Sequence, residues 1–221
     1  AIEQAGSSCK AGSGKTCLKD TKFPTVNLKT LRGGCQPLTM SGNQAPWTII
    51  FKTAQACGLN PQVILTTLQK EQSGLTQPQS AATWAKAMGS GCPDGSGCDS
   101  AQGGFQKQVY YGADKLVSYK TQSMAGHVDA FKAGRAMTVA HNSAASCGSQ
   151  SLLFKNVATA SLYEYTPYIG NSSVSGCGPT GQKNFYDIFK RYFPETVVSV
   201  PKLVAPTPTT QSVTMVGATL S

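Results

Sequence analysis

The sequence predicts a mainly α-helical α+β domain stapled by disulfides. Three observations carry that expectation. Apolar residues recur at helical spacing in several separate stretches. The cysteines number eight, an even count spread from Cys9 to Cys177. A single stretch, Val128–Ala140, with Ala133-Gly134 at its middle, reads as a small β-hairpin, and a helical reading of it stays open. At 221 residues the chain is long enough for one sizeable core.

Residues 1–45 are rich in Gly, Ser, Thr and Lys and show no sustained period, so they read as an irregular, disulfide-stapled lead-in. From Pro46 the pattern changes. Trp47, Ile50, Phe51, Ala54 and Cys57 define a helix that Gly58 can stop. Asn60 can cap the next helix, Pro61 suits its first position and Gly74 can end it, giving a helix over 61–73 and a helical hairpin. Ala81–Met88 reads as a short helix closed by Gly89, and the Gly- and Ser-rich run from Gly89 to Cys98 as a loop. Phe105, Val109, Ala113 and Leu116 mark a longer helix over about 103–120. The stripe Phe154, Val157, Ala158, Ser161, Leu162, Tyr165 must end before Pro167. Phe185, Ile188, Phe189, Tyr192 and Phe193 define a final helix ended by Pro194. The helical domain is therefore expected over 46–195. Residues 196–221, with Pro201, Pro206, Pro208 and many threonines, read as a tail or linker. No internal repeat is visible.

Disulfides are the economical reading of Cys9, Cys17, Cys35, Cys57, Cys92, Cys98, Cys147 and Cys177. The spacings Cys9 to Cys17 and Cys92 to Cys98 suggest local staples, which leaves Cys35–Cys57 and Cys147–Cys177 as the simplest completion of many possible pairings. Every pairing implies an oxidising compartment and hence export. No CxxC or Cys/His cluster suggests zinc, since His127 and His141 lie far from tight cysteine pairs. No run approaches the roughly 18 apolar residues of a membrane span, and Ala1 begins without a charged and hydrophobic leader, as in a chain already processed. The net charge of +9, from 19 basic and 10 acidic residues, favours anionic polymers as partners or serves solubility alone. The lysines are scattered and form no dense basic arm, so nucleic acid is not expected.

Glu71 is the residue most suggestive of chemistry. At about 100° per residue it shares a stripe with Ile64 and Leu68, so a carboxyl stands where an apolar side chain would point inward. Such burial raises a carboxyl pKa and suits a general acid, while a structural Glu paired with Lys or Arg is the plainer alternative. Other motifs carry less. Gly12-Ser13-Gly14-Lys15-Thr16 ends like a phosphate loop, but Cys9 occupies the place of the first glycine and no strand precedes it. His141 has no Gly-x-Ser-x-Gly serine or free thiol to activate. Glycoside cleavage, with Glu71 protonating the leaving oxygen, remains.

The run Asn60-Pro61-Gln62-Val63-Ile64-Leu65 through Leu68-Gln69-Lys70-Glu71-Gln72-Ser73-Gly74-Leu75-Thr76 resembles the catalytic helix of the lysozyme superfamily. Its lytic transglycosylase members carry Glu-Ser-Gly there, and this chain inserts Gln72. Further segments, Ala87-Met88-Gly89, Gly91-Cys92-Pro93-Asp94, Gly104-Phe105-Gln106-Lys107-Gln108-Val109-Tyr110, Ala158 to Tyr168 and Asn184 to Phe189, resemble secreted lysozyme-like wall proteins of actinobacteria. With Cys9-Lys10-Ala11-Gly12 and Thr16-Cys17-Leu18-Lys19-Asp20 the resemblance spans about residues 9–193.

The resemblance implies a lysozyme-like helical domain with a groove for peptidoglycan glycan strands, Glu71 as general acid, and neither metal nor cofactor. Ser73 would sit near the transglycosylase serine. Tyr163 or Tyr165 would correspond to the tyrosine of the Tyr-Asn motif, from which Glu164-Tyr165-Thr166-Pro167 departs. Trp84, Tyr110, Tyr111 and Tyr168 are further rings of a kind that stacks on sugars, although most suit a core. Asp94 and Asp99 are candidate second carboxylates, with Glu164 and Asp187 later in the chain, while Asp94-Gly95 also suits a turn and Asp99 a helix cap. Without a second acid the sugar's own N-acetyl group can attack the anomeric carbon. The expected protein is a secreted or wall-located muramidase or lytic transglycosylase. The alternative is a non-catalytic wall-glycan-binding or adhesin module of the same fold. Anionic wall polymers are further candidate partners.

Overall fold

A computed structural model describes residues 2–93, 96–125, 131–170, 173–178 and 180–196. The fold is mixed α and β. Its elements are α1 Ile2–Ala5, β1 Phe23–Thr25, β2 Gly42–Gln44, α2 Pro46–Cys57, α3 Pro61–Gln72, α4 Ala81–Trp84, α5 Phe105–Met124, β3 Ala136–Ala140, β4 Ser149–Leu153, α6 Val157–Tyr165 and α7 Gly181–Tyr192. Two antiparallel pairs, β1 with β2 and β3 with β4, are its sheets among the described residues. The disulfides are Cys9–Cys17, Cys35–Cys57, Cys92–Cys98 and Cys147–Cys177, so the simplest completion of the cysteine pattern is the observed one. Both short loops close on themselves. No cysteine is free, which fits a non-cytoplasmic, oxidising environment. No helix among the described residues is long and apolar enough to cross a membrane.

Helix ends follow chain chemistry in part: α4 stops at Trp84, with turns in place of the helix expected as far as Met88, and α5 runs on to Met124, past the expected end near 120. Asn60 accepts from the Gln62 amide at the start of α3, and Gly58 closes α2 in the left-handed region at φ 58°. α3 stops one residue earlier than Gly74 suggests. Ser73 itself takes the left-handed position at φ 52°, because Gly74 lies against the Trp84 ring and the Leu68 carbonyl, where a Cβ would fall 3.2 Å from each. α2 is rotated from the expected stripe. Ile49, Ile50, Thr53, Ala54 and Cys57 face inward, whereas Trp47 and Phe51 are about half exposed, at 52% and 57%. Apolar residues on two sides of one short helix leave the stripe ambiguous, and packing against α5 resolves it.

The expected hairpin at 128–140 is also corrected. Residues 128–130 lie outside the described part of the chain, and β3 pairs forward with β4, Ala136 opposite Leu153 and Ala140 opposite Ser149. Phe154, expected at the start of a helix, follows β4 and is buried, and α6 begins only at Val157. The lead-in is not confined to the surface. Leu18, Phe23, Leu28, Leu38 and Met40 share the main core with Ile49, Leu68, Trp84, Phe105 and Val109. A second, smaller cluster unites Val139, Phe154, Ala160 and Tyr163 beneath the hairpin and α6.

The central helix α5 organises the irregular chain around it through buried polar side chains. Gln106 pairs with both backbone groups of Val26, at 2.8 Å each. Gln108 accepts from the Met88 and Ser90 amides and donates to the Ser90 and Gln102 carbonyls. Asp114 is fully buried, and its carboxylate accepts five hydrogen bonds, from the Thr30 hydroxyl and the amides of Leu31, Arg32, Gly34 and Cys35. The loop approaches so closely that a Cβ on Gly34 would lie 2.3 Å from the Asp114 carbonyl oxygen. Asp114→Ala strips four loop amides of their acceptor at once. It is expected to cost about 3 kcal/mol or more, read as a lower urea midpoint, with Asp114→Asn milder because one carbonyl oxygen survives.

Candidate functional site

Glu71 lies in the last turn of α3. Three residues beyond Leu68 advance the helix by about 300°, which sets Glu71 at the margin of the buried stripe. Its side chain is 28% exposed, so the full burial expected from the stripe is not found. Lys70, 12% exposed, donates to Glu71 Oε1 at 2.7 Å and to the Thr166 hydroxyl at 3.3 Å. The acid is thus half-buried and ion-paired, as in the plainer alternative, yet it fronts a gap. Thr67, Lys70 and Glu71 of α3 face Leu162, Tyr165 and Thr166 of α6 and its end, with Gln182 and Phe185 of α7 closing a narrow crevice of about 10 Å³.

The crevice walls are fixed from behind. Gln182, in the first turn of α7, donates to the Leu162 and Thr166 carbonyls and so holds the end of α6. Gln69 accepts from the Leu75 amide, and Gln79 donates to the Gln72 carbonyl at 2.6 Å. Gln79 and Thr16 also exchange backbone hydrogen bonds at 2.9 Å, so the Cys9–Cys17 staple is tied to the loop that follows the acid. Gly12 and Lys15 close a tight turn in that staple and form no phosphate cradle. A second, larger cavity of about 410 Å³ shares Leu162, Gln182 and Phe185 with the crevice and is lined also by Val63, Tyr163, Tyr186 and Phe189.

The structure separates the two tyrosine candidates. Tyr165 borders the Glu71 crevice, and its hydroxyl donates to the Met88 carbonyl at 2.6 Å. Burial, and next the charge of Glu71, push its pKa up. Tyr163 lies in the smaller core with its ring edge-on to Phe154, 5.0 Å between centroids, and reaches only the larger cavity. Ser73 is exposed at the end of α3, held in the left-handed conformation that costs a non-glycine residue about 1 kcal/mol. Trp84, Tyr110 and Tyr111 are core residues.

The second-carboxylate candidates are accounted for differently. Asp94 lies outside the described residues. Asp99 caps a short turn, and hydrogen bonds from the Gln102 side chain and the Ala101 amide lower its pKa, which suits a cap and not a proton-shuttling acid. Glu164 accepts from the Phe131 amide, and Asp187 pairs with Lys183 one turn earlier on α7. His141 contacts the Gly170 carbonyl at 3.1 Å. Among the described residues no group of three or more His, Cys, Asp or Glu is gathered as a metal site. Sequence patterning did not single out Lys70, Thr166 or Gln182, because each is defined by a partner distant in the chain. Comparison with protein-family models, curated proteins and solved structures finds no match to this chain.

Two of the tyrosines with raised pKa bear on stability at alkaline pH. Burial, followed by the charge of Asp114, pushes Tyr110 from 10.0 to about 12, and its hydroxyl donates to the Gln36 carbonyl. Tyr165 is raised in the same sense. Below pH 10 folded and unfolded chains both hold these protons. Above it the unfolded chain releases them first, so stability falls as pH rises through the interval between the two pKa values. Ultraviolet titration is expected to show these two phenolates appearing only with unfolding, and Tyr165→Phe to flatten the loss of stability above about pH 10.

Proposed function

We propose that the protein is a secreted peptidoglycan-cleaving glycosidase that uses Glu71 as its acid and base. The observation that carries the reading is the placement of Glu71, a carboxyl at a helix end facing Tyr165 and Thr166 across a narrow crevice that shares Leu162, Gln182 and Phe185 with a larger cavity. The lysozyme-like resemblance around Glu71 supports the same reading and adds the β-1,4-linked aminosugar strand as substrate. Four disulfides suit a protein that works outside the cytoplasm, and the +9 charge suits an anionic wall.

In this mechanism Glu71 donates its proton to the glycosidic oxygen as the bond to the anomeric carbon breaks. With no second carboxylate assigned, the carbonyl oxygen of the sugar's N-acetyl group attacks the anomeric carbon and forms a cyclic oxazolinium. Glu71, now a carboxylate, then takes a proton from water, giving a reducing end, or from the sugar's 6-hydroxyl, giving an anhydro end. Glu71 must leave its ion pair with Lys70 to carry the proton it donates, and Thr166 is the other partner available to Lys70. The strained Ser73 backbone two residues on is of the kind found at working sites.

The narrowness of the crevice favours a second reading, a non-catalytic wall-glycan-binding module, because about 10 Å³ is far below the usual 300–1,000 Å³ of ligand pockets. Digestion of purified peptidoglycan separates the two. Muropeptides reducible by borohydride, or anhydro-muropeptides, are expected from the wild type, with at least a hundredfold loss in Glu71→Gln. Equal product yields from both proteins, or no products despite retained glycan binding, would exclude Glu71 catalysis.

A further inference from the structure

Two cavities meet at the contact between α3 and α6, and neither is lined by an acid. The larger, of about 410 Å³, falls within the usual size range of ligand pockets and is walled by Val63, Leu162, Phe185, Tyr186 and Phe189. The smaller, of about 130 Å³, is walled by Leu59, Val63, Leu116, Val117 and Leu162. Val63 and Leu162 belong to both, with α7 bounding the larger cavity and α5 the smaller. The Ser161 hydroxyl donates to the Val157 carbonyl, and the Gln182 amide nitrogen donates to the Leu162 and Thr166 carbonyls, so neither offers a donor to the cavities it lines. One lining residue is charged. Lys120, near the end of α5, borders the smaller cavity, is exposed, and has no ion-pair partner among the described residues. An apolar track with a single cation in one part matches a single alkyl chain with one anionic head. A flexible chain can bend past the Val63 and Leu162 junction, which a rigid ring system of the same volume cannot do.

We propose that these two cavities form a binding site for a free fatty acid, its alkyl chain laid past Val63 and Leu162 into the larger cavity and its carboxylate paired with Lys120 at the smaller. The inference goes beyond the glycan reading and does not rest on it, since Glu71 belongs to neither lining. A bound chain would still touch the crevice, because Leu162, Gln182 and Phe185 wall both the crevice and the larger cavity.

The test is calorimetry on the full chain with dodecanoate, hexanoate and dodecyltrimethylammonium, each below its micelle-forming concentration. In the unmutated protein the methyl resonances of Val63, Leu162 and Leu116 are followed by NMR, which needs no variant to fold. Each methylene buried strengthens binding about fourfold, so dodecanoate is expected to bind about a hundredfold more tightly than hexanoate and to shift the Val63 and Leu162 methyls together. Lys120→Gln and Ala158→Glu, both at exposed positions of the smaller lining, are expected to weaken dodecanoate binding about tenfold. Hexanoate or dodecyltrimethylammonium binding as tightly as dodecanoate, an affinity unchanged in Lys120→Gln, or Val63 and Leu162 methyls unmoved by dodecanoate each overturns the site. Binding to phosphatidylglycerol vesicles without any binding of dodecanoate also overturns it and assigns the apolar track to a lipid surface.

Discussion

Long irregular segments become structure here because α5 supplies hydrogen-bond acceptors and donors from inside the core. A loop that crosses a core must pair its backbone amides and carbonyls, and this protein has little sheet with which to do it. Gln106, Gln108 and Asp114 perform that task at successive levels of one helix. Asp114 is the extreme case, since a single carboxylate collects the backbone of 31–35 and brings Cys35 to its disulfide with Cys57. The lead-in, lacking a periodic pattern of its own, is ordered by this contact.

The crevice inherits its shape from that arrangement. α6 rests on α5 and α7 rests on α3, so the space between the two pairs is left for Gln182 to bridge and for Glu71 and Tyr165 to face. Gln108 fixes Met88, whose carbonyl receives the Tyr165 hydroxyl, so even the tyrosine beside the acid is positioned by way of α5. The geometry of the candidate site is thus a consequence of polar satisfaction in the core more than of apolar packing.

Much of this was legible in the chain. Asn60-Pro61 and Gly58 identify helix ends by mechanism, and short cysteine spacings identify local staples. What escaped has a common cause. Asp114 and Gln106 look like surface residues until loops about eighty positions away are folded onto them, as the separation of 84 between Thr30 and Asp114 illustrates. The hairpin was centred on Ala133-Gly134 by its turn-forming residues, whereas β3 finds its partner beyond a connection stapled by Cys147. Glu71 was legible as the residue to watch. Its half-exposure was not, because the helical period fixes a direction and leaves open how far the core extends along it. The choice of Tyr165 over Tyr163 depended on Phe131 and Phe154 enclosing the latter, which no local pattern announces.

If a glycan strand binds between α3, α6 and α7, a bound sugar can be mapped onto the backbone. In an NMR titration with a soluble peptidoglycan tetrasaccharide, amide shifts are predicted to concentrate at the last turn of α3, at Thr166 and at the first turn of α7. Shifts confined to the exposed Trp47 and Phe51 face of α2, with the Glu71 crevice unmoved, would place the glycan elsewhere and rule out the crevice as its site.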